Sequence, residues 1–139
     1  FEAAPTFKPL GAGLVLAANA MKALEAIGIS KPIMQAGKLL TKGIILDEKG
    51  NVISQVDVAS VTQKFGMHNF AIHRAVLHEL LIRQLQPGTL LFGKKCVDVY
   101  QDAQQVTVRF ADGSEEKADC LLACDGIHSV IRQKLFPHS

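Results

Sequence analysis

The residues with the clearest chemical potential lie near the end of the chain, where an apolar run meets an Asp-Gly pair. Leu121 to Cys124 is continuously apolar, Asp125 and Gly126 follow it, and Ser129 to Leu135 then has helical spacing. A strand buried on both faces that turns directly into a helix places a carboxylate at the carboxyl edge of a sheet, where open α/β folds bind ligands. The N-terminus of such a helix also attracts phosphate. The alternative is an ordinary strand-turn-helix connection, because Asp-Gly is a common turn dipeptide.

A second candidate is Arg74, which follows a predicted strand over Asn69 to Ile72 and stands at the start of a predicted helix. Its positive charge there faces the positive end of the helix dipole, which costs on the order of 0.3 to 1 kcal/mol. A bound anion would remove this conflict. The alternative is a solvated arginine without a ligand, since most arginines lie at the surface.

A third segment, Gly11-Ala12-Gly13, has the spacing that opens a dinucleotide-binding fingerprint. Leu16 stands where the third glycine belongs, and Phe7 to Leu10 before it does not have the pattern of a buried strand. A lone Gly-x-Gly is weak evidence, and here its context contradicts the fingerprint.

The segment around Asp125 resembles the DG motif of the para-hydroxybenzoate hydroxylase family of flavoprotein monooxygenases. In that motif an apolar strand leads into Asp-Gly, and a Ser and an Arg follow at the positions that Ser129 and Arg132 occupy here. The resemblance implies that these four residues contribute to binding FAD and the pyrophosphate side of NAD(P)H. It implies in particular that Asp125 lies near the flavin chain.

The resemblance continues upstream in the order that the family requires. It implies that Arg74 contacts the FAD chain, that the glycines of Gly11-Ala12-Gly13 let the backbone pass close to the cofactor, and that Glu2 binds the adenosine ribose. Val97 lies on the strand that passes the adenine in this family, so a backbone contact is expected there. The complete set of expected cofactor-binding residues is Glu2, Gly11, Ala12, Gly13, Arg74, Val97, Asp125, Gly126, Ser129 and Arg132.

The resemblance implies an enzyme that binds FAD, takes a hydride from NADH or NADPH, and uses O2 to hydroxylate an aromatic, phenolic or similar electron-rich small molecule; the catalytic residues are not identified. FAD carries the oxygen chemistry and the protein supplies positioning and electrostatics. Two alternatives remain open: a non-catalytic binding or scaffold domain that keeps the topology, and a flavin epoxidase or reductase acting on an isoprenoid.

The chain starts without Met, and it contains neither the N-terminal glycine fingerprint nor the second glycine-aspartate motif of the family. We therefore expect an internal fragment that folds at least partly but neither retains FAD nor turns over substrate. An exposed sheet edge and apolar surface would favour self-association.

The pattern of expected helices and strands around these residues predicts an α/β fold. This fold is expected to be part of a Rossmann-type FAD-binding domain with an inserted antiparallel β-meander or hairpin. Residues 1–139 are expected to form a partial FAD-binding domain that includes the start of a substrate-domain hairpin at about 40–70. Asn19 is expected to cap a first helix that Gly28 ends, Val58 to His68 is ambiguous, and a second helix is expected from Val76 to Leu85. The expected strands are Lys42 to Asp47, Val52 to Val56, Asn69 to Ile72, Thr89 to Phe92, Lys95 to Tyr100, Gln105 to Phe110, a strand from Glu116, and Leu121 to Cys124.

Composition limits the other function classes. Hydrophobic residues make up 48% and charged residues 20% of the 139 residues, as in ordinary globular proteins. The net charge is +2 and the basic residues are scattered, so a nucleic-acid partner is not expected. Without a membrane-length apolar run or a signal peptide, a cytoplasmic protein is expected.

The spacing of the cysteines and histidines does not predict a metal site. The three cysteines are expected to be buried reduced thiols: Cys96, Cys120 and Cys124. The five histidines are expected to be non-ligands: His68, His73, His78, His128 and His138.

Overall fold

The computed structural model describes residues 1–9 and 11–137, which form two compact units. We call Lys8–Gln86 the central unit, and Phe1–Phe7 together with the chain from Pro87 onward the terminal unit. The strand pairs of both units are antiparallel. The mixture of helices with antiparallel strands confirms the α/β class and the inserted meander.

The central unit is built on a three-stranded sheet in the order β1-β5-β2. β5 lies in the middle because its alternate residues Phe70 and Ile72 are buried, and the helices pack their apolar side chains, with Met21 and Ile33 fully buried, into the same core. The elements in chain order are β1 (Gly13–Leu16), α1 (Ala18–Ala26), α2 (Ser30–Ala36), β2 (Lys38–Leu40), β3 (Gly43–Leu46), β4 (Val52–Val56), α3 (Val58–Phe65), β5 (Asn69–His73) and α4 (Arg74–Ile82).

The start of α1 differs from the expectation. Asn19 lies inside the helix, and the N-cap residue Ala17 has no side-chain acceptor. The Asn69 Oδ1 atom at the start of β5 instead accepts a 2.7 Å hydrogen bond from the Ala18 backbone N–H. The cap therefore comes from a residue 51 positions away, while the end of the helix before Gly28, whose φ is +80°, is confirmed.

The ambiguous stretch after Val56 is a helix, α3. Asp57 caps it by accepting a 3.0 Å hydrogen bond from the Ser60 N–H, and Gly66 ends it with a φ of +64°. The preceding hairpin of β3 and β4 is confirmed. Its turn is held by the Asp47 carboxylate, which accepts hydrogen bonds from the Lys49 and Asn51 backbone N–H groups.

The terminal unit contains a meander in the order β6-β7-β8 with one helix packed against it. Alternate residues of β7 are buried, and Ile131 of the helix joins them in one apolar cluster. The elements are β6 (Cys96–Gln101), β7 (Val106–Phe110), β8 (Glu115–Ala118) and α5 (Val130–Leu135).

Two expected strands of the terminal unit are wrong. Thr89 to Phe92 is irregular, and so is Leu121 to Cys124, where Leu122 is 84% exposed. A strand needs a partner for its backbone groups, and no strand of the described chain pairs with Leu121 to Cys124. The expectation of buried thiols fails there for the same reason, since Cys120 and Cys124 are exposed; only Cys96 is partly buried.

The remaining predicted elements are confirmed within a few residues of their ends. The helix expected from Val76 begins at Arg74 and ends at Ile82, and α5 begins directly after Ser129. None of the described helices has the length and apolar character needed to cross a bilayer.

Candidate functional site

The Asp125-Gly126 pair forms a tight turn into α5. Gly126 has a φ of +81°, which favours glycine, and its carbonyl accepts a 3.1 Å hydrogen bond from the Ser129 N–H. The buried Ser129 then caps the helix, because its Oγ accepts a 2.9 Å hydrogen bond from the Arg132 N–H. The Arg132 guanidinium donates to the Ile127 carbonyl oxygen at 2.7 Å. The structure therefore brings together the four residues of the DG motif.

Asp125 carries the negative charge of this turn. Its Oδ2 accepts a 3.4 Å hydrogen bond from the Ile131 N–H. Hydrogen bonding from Ser129, followed by the backbone N–H of Ile131, holds the pKa of Asp125 below its ordinary value. The carboxylate is ionised at neutral pH and exposed, so it can accept hydrogen bonds from ligand hydroxyl or amide groups.

Glu2 lies in the terminal unit on a segment that the structure holds by backbone hydrogen bonds. Its N–H donates to the Leu91 carbonyl and its own carbonyl accepts from the Lys94 N–H, both at 2.9 Å. The Glu2 Oε1 accepts a 2.8 Å hydrogen bond from the Ala4 N–H, which fixes the exposed carboxylate. Such an oriented carboxylate is a suitable acceptor for ribose hydroxyls.

One cleft of about 450 Å³ in the terminal unit collects several of these groups. Glu2, Asp125 and Gly126 line it, together with Lys94, Cys96 and Phe110. Lys94 is a residue that the sequence analysis missed. Its ammonium donates to the Asp112 Oδ2 and to the Ser114 Oγ, each at 2.7 Å. These partners lie 18 and 20 positions away, so no local spacing could have identified it.

Val97 lies at a β-bulge, directly after Cys96, which lines this cleft. The register of β6 on β7 passes from the Cys96–Phe110 pair to the Asp98–Arg109 pair, so Val97 is an extra residue without a partner on β7. Its side chain is 42% exposed. A bulged residue is left unpaired in the ladder, which leaves its backbone available to a ligand. Burial is the main reason that the pKa of the neighbouring Cys96 thiol is raised, which makes it a poor nucleophile.

Arg74 lies against the segment Gly11-Ala12-Gly13 in the central unit. The Arg74 N–H donates to the Ala12 carbonyl at 3.1 Å, and Gly13 pairs with His73 in the sheet. Gly11 has a φ of +130°, and a Cβ placed there would lie 2.9 Å from the Arg74 Cδ and 3.1 Å from its Cβ. The glycine thus makes room for the stem of the arginine.

The exposed Arg74 guanidinium forms no ion pair with any carboxylate in the described part of the chain. Because α4 begins at Arg74, the positive end of its dipole adds to the same positive field. Arg74 thus has no ion-pair partner among the described residues and lies beside a glycine at which a Cβ would crowd its side chain. Such an arginine is suited to bind an anionic ligand such as a phosphate.

Two of the histidines make local contacts in the described structure. The His73 Nδ1 accepts a 3.4 Å hydrogen bond from the Ala75 N–H at the start of α4, and the His68 Nδ1 lies 3.3 Å from the Thr62 Oγ1. His138 lies outside the described residues, as does Leu10. Within the described ranges, no three His, Cys, Asp or Glu side chains come together as a metal site would require.

The chain is similar to known proteins in both sequence and structure. The sequence profile of the FAD binding domain family matches residues 2–136. The chain is 32% identical to the aurachin C monooxygenase/isomerase of Stigmatella aurantiaca over 135 residues, and 32% identical to the 6-hydroxynicotinate 3-monooxygenase of Pseudomonas fluorescens over 137 residues. These matches cover 97% of this chain but 35% and 36% of the two relatives, so the chain spans about a third of their length. The crystal structure of Klebsiella pneumoniae HpxO complexed with FAD and uric acid is 29% identical, with a TM-score of 0.81 over 96% of this chain and 34% of that one.

Proposed function

The chain belongs to the FAD binding domain family, and from this premise we propose that it supplies FAD-binding residues to a flavoprotein monooxygenase. Relatives that match nearly the whole chain are monooxygenases of aromatic compounds, such as 6-hydroxynicotinate 3-monooxygenase. The single observation that carries the proposal is the arrangement of Arg74 on Gly11 and Ala12, because it presents to an anionic ligand a cation that pairs with no carboxylate of the described residues.

In the central unit, we assign Arg74 to the pyrophosphate of FAD. A guanidinium binds phosphate oxygens through charge-assisted hydrogen bonds, which are stronger than neutral ones. Gly11 and Gly13 let the backbone approach the cofactor, and Ala12 anchors the start of α4 through its carbonyl. The stem of Arg74 lies against Gly11, and this contact reduces the entropy that the side chain would lose when the anion binds.

In the terminal unit, we assign Glu2 to the adenosine ribose and the backbone of Val97 to the adenine. The carboxylate held by Ala4 and the unpaired bulge residue support these two roles. We assign Asp125 and Gly126, with Ser129 and Arg132 holding their turn, to the flavin side of FAD and to the pyrophosphate side of NAD(P)H.

For the whole protein, we propose hydroxylation of an aromatic or phenolic small molecule with NAD(P)H as the reductant. FAD, when bound, supplies the transfer of electrons from the nicotinamide to oxygen. The residues of this chain bind and orient the cofactor. The hairpin of β3 and β4 is assigned to the start of the substrate domain, because its large apolar side chains are exposed on both strands and need a cover: Ile44, Ile45, Leu46, Val52, Ile53 and Val56.

The test is a titration of FAD into the purified protein, followed by quenching of flavin fluorescence. Arg74→Met is expected to weaken binding by roughly tenfold or more, since a hydrogen bond to a charged group contributes about 1.5 to 3 kcal/mol. Arg83→Met is the matched control, because Arg83 lies at the other end of the same helix and pairs with Glu79 at 3.7 Å.

The control is expected to bind FAD as the unchanged protein does. Equal affinity of the Arg74→Met variant and the unchanged protein would overturn the proposal. The chain is expected to lose FAD during purification, so FAD is added back over a range of concentrations. Saturable binding of the added FAD is still expected at high FAD concentration.

A further inference from the structure

The helix that follows the DG turn is too short to be stable by itself. α5 contains six residues, and isolated helices of that length do not form in water. Ile131 anchors its inner face in the cluster of Val99, Val106, Val108 and Phe110. A single apolar anchor leaves the rotation of a short helix weakly determined, so polar contacts must fix its orientation.

The first turn of α5 has such contacts, in the Ser129 cap and the hydrogen bond from Ile131 to Asp125. The last turn is held by Lys134. Its ammonium forms an ion pair and hydrogen bond with the Asp98 carboxylate and lies 4.1 Å from the centre of the Tyr100 ring. Both partners belong to β6, two residues apart, and therefore lie on the same face of that strand.

The site of this contact on β6 is the bulge. Asp98 is the residue at which pairing with β7 resumes after Val97, and its Oδ1 also accepts a 2.9 Å hydrogen bond from the Val99 N–H. The carboxylate is thus fixed to the strand. Arg109 of β7 also contacts the Tyr100 ring, with its guanidinium carbon 5.3 Å from the ring centre. Arg109 in turn forms an ion pair with Glu115 at 2.8 Å.

We propose that Asp98 and Lys134 are a positioning pair, which sets the orientation of α5 on β6 and thereby places the Asp125-Gly126 turn relative to the backbone of Val97. The pair does not touch the cofactor. It joins the bulge to the helix, and so couples two groups that the proposed function assigns to different parts of FAD. This inference rests on that proposed function for its effect on FAD, but the placement of the turn can be measured without cofactor.

The experiment compares Lys134→Met, Lys134→Arg, Asp98→Asn and the double variant Asp98→Asn/Lys134→Met. Lys117→Met is the matched control for Lys134→Met, because Lys117 is exposed on β8 and both substitutions remove one positive charge. The first measurement is amide hydrogen exchange of Ile131 and Arg132, without FAD. The second is the FAD dissociation constant from fluorescence titration.

Partly exposed ion pairs contribute modestly, so loss of either partner is expected to speed exchange of these two amides and to weaken FAD binding by about two- to fivefold each. Lys134→Arg should preserve both quantities, because it keeps the charge, and Lys117→Met should change neither. The double variant should be no worse than either single variant, since the interaction can be lost only once. A merely structural role would lower the melting temperature without the matching loss of FAD affinity.

Unchanged exchange at Ile131 and Arg132 in Lys134→Met overturns the inference, as does faster exchange with unchanged FAD affinity. If the unchanged protein binds no FAD at all, the proposed function fails. In that outcome the exchange measurement still decides whether the pair positions the turn.

Discussion

The close approach of Gly11 to Arg74 makes a sharp prediction for substitution of glycine by alanine. Gly11 has a φ of +130°, which L-amino acids rarely adopt, and a Cβ there would lie 2.9 Å from the Arg74 Cδ and 3.1 Å from its Cβ. The Cδ can swing away, but the Arg74 Cβ is fixed by α4. Gly13, two residues later, has an ordinary backbone conformation, and a Cβ there would meet no atom within 4 Å.

The expected destabilisation by Gly11→Ala has two parts. A residue forced into a sparsely populated backbone region costs of order 1 to 3 kcal/mol. Overpacking against a fixed atom costs about 1 to 3 kcal/mol more when the neighbours cannot relax completely. We therefore expect a loss of at least about 2 kcal/mol in the free energy of unfolding, together with weaker FAD binding because the stem of Arg74 is displaced.

Gly13→Ala is the control for stability only, because Gly13 is itself assigned to the cofactor site, and it is expected to change the free energy of unfolding by less than about 0.5 kcal/mol. The measurement is urea denaturation of both variants, followed by far-ultraviolet circular dichroism, with FAD titration of the folded Gly11 variant. The reasoning is wrong if the Gly11 variant is as stable as the unchanged protein, or if both variants lose the same stability.

Three further predictions concern caps and charge. Asn69→Ala removes the acceptor for the Ala18 N–H and should cost about 1 kcal/mol in denaturation experiments, whereas Asn69→Asp should preserve the cap. Ser129→Ala should cost about 0.5 to 2 kcal/mol and weaken FAD binding, and Ser129→Thr should restore most of both; equal losses in the two variants would contradict a capping role. Hydrogen bonding from Lys134 holds the pKa of Asp98 at about 2, below its value of about 3.9 in an unfolded chain. Its stabilising contribution is therefore present above about pH 4 and lost as the pH falls toward 2, so Asp98→Asn should flatten that part of the acid denaturation curve.

The local structure around the candidate site residues was predictable where it depends on neighbours in sequence. Ser129 and Arg132 are three positions apart, so the cap of α5 follows from the local order of residues. The placement of Arg74 at a strand-to-helix junction was equally predictable, because the apolar pattern changes its period there.

Contacts between distant residues were not predictable. Asn19 looks like a cap because asparagine is a favoured cap residue, but Asn69 satisfies the same backbone group from β5. Val97 follows a regular strand pattern, and its position at a bulge depends on the register with β7. The apolar run Leu121 to Cys124 has the composition of a buried strand, yet a strand also requires a hydrogen-bonding partner, which composition cannot specify.

The sequence by itself determined the family, the class of fold and the identities of the candidate cofactor-binding residues, because turn, cap and motif chemistry is carried by residues within a few positions of one another. The tertiary structure decided that the stem of Arg74 lies against Gly11, that Lys94 belongs to the cleft of Glu2 and Asp125, and that Lys134 reaches Asp98 across 36 positions. These contacts depend on packing between elements distant in sequence, and no local pattern of residue types encodes the distance at which two such elements meet.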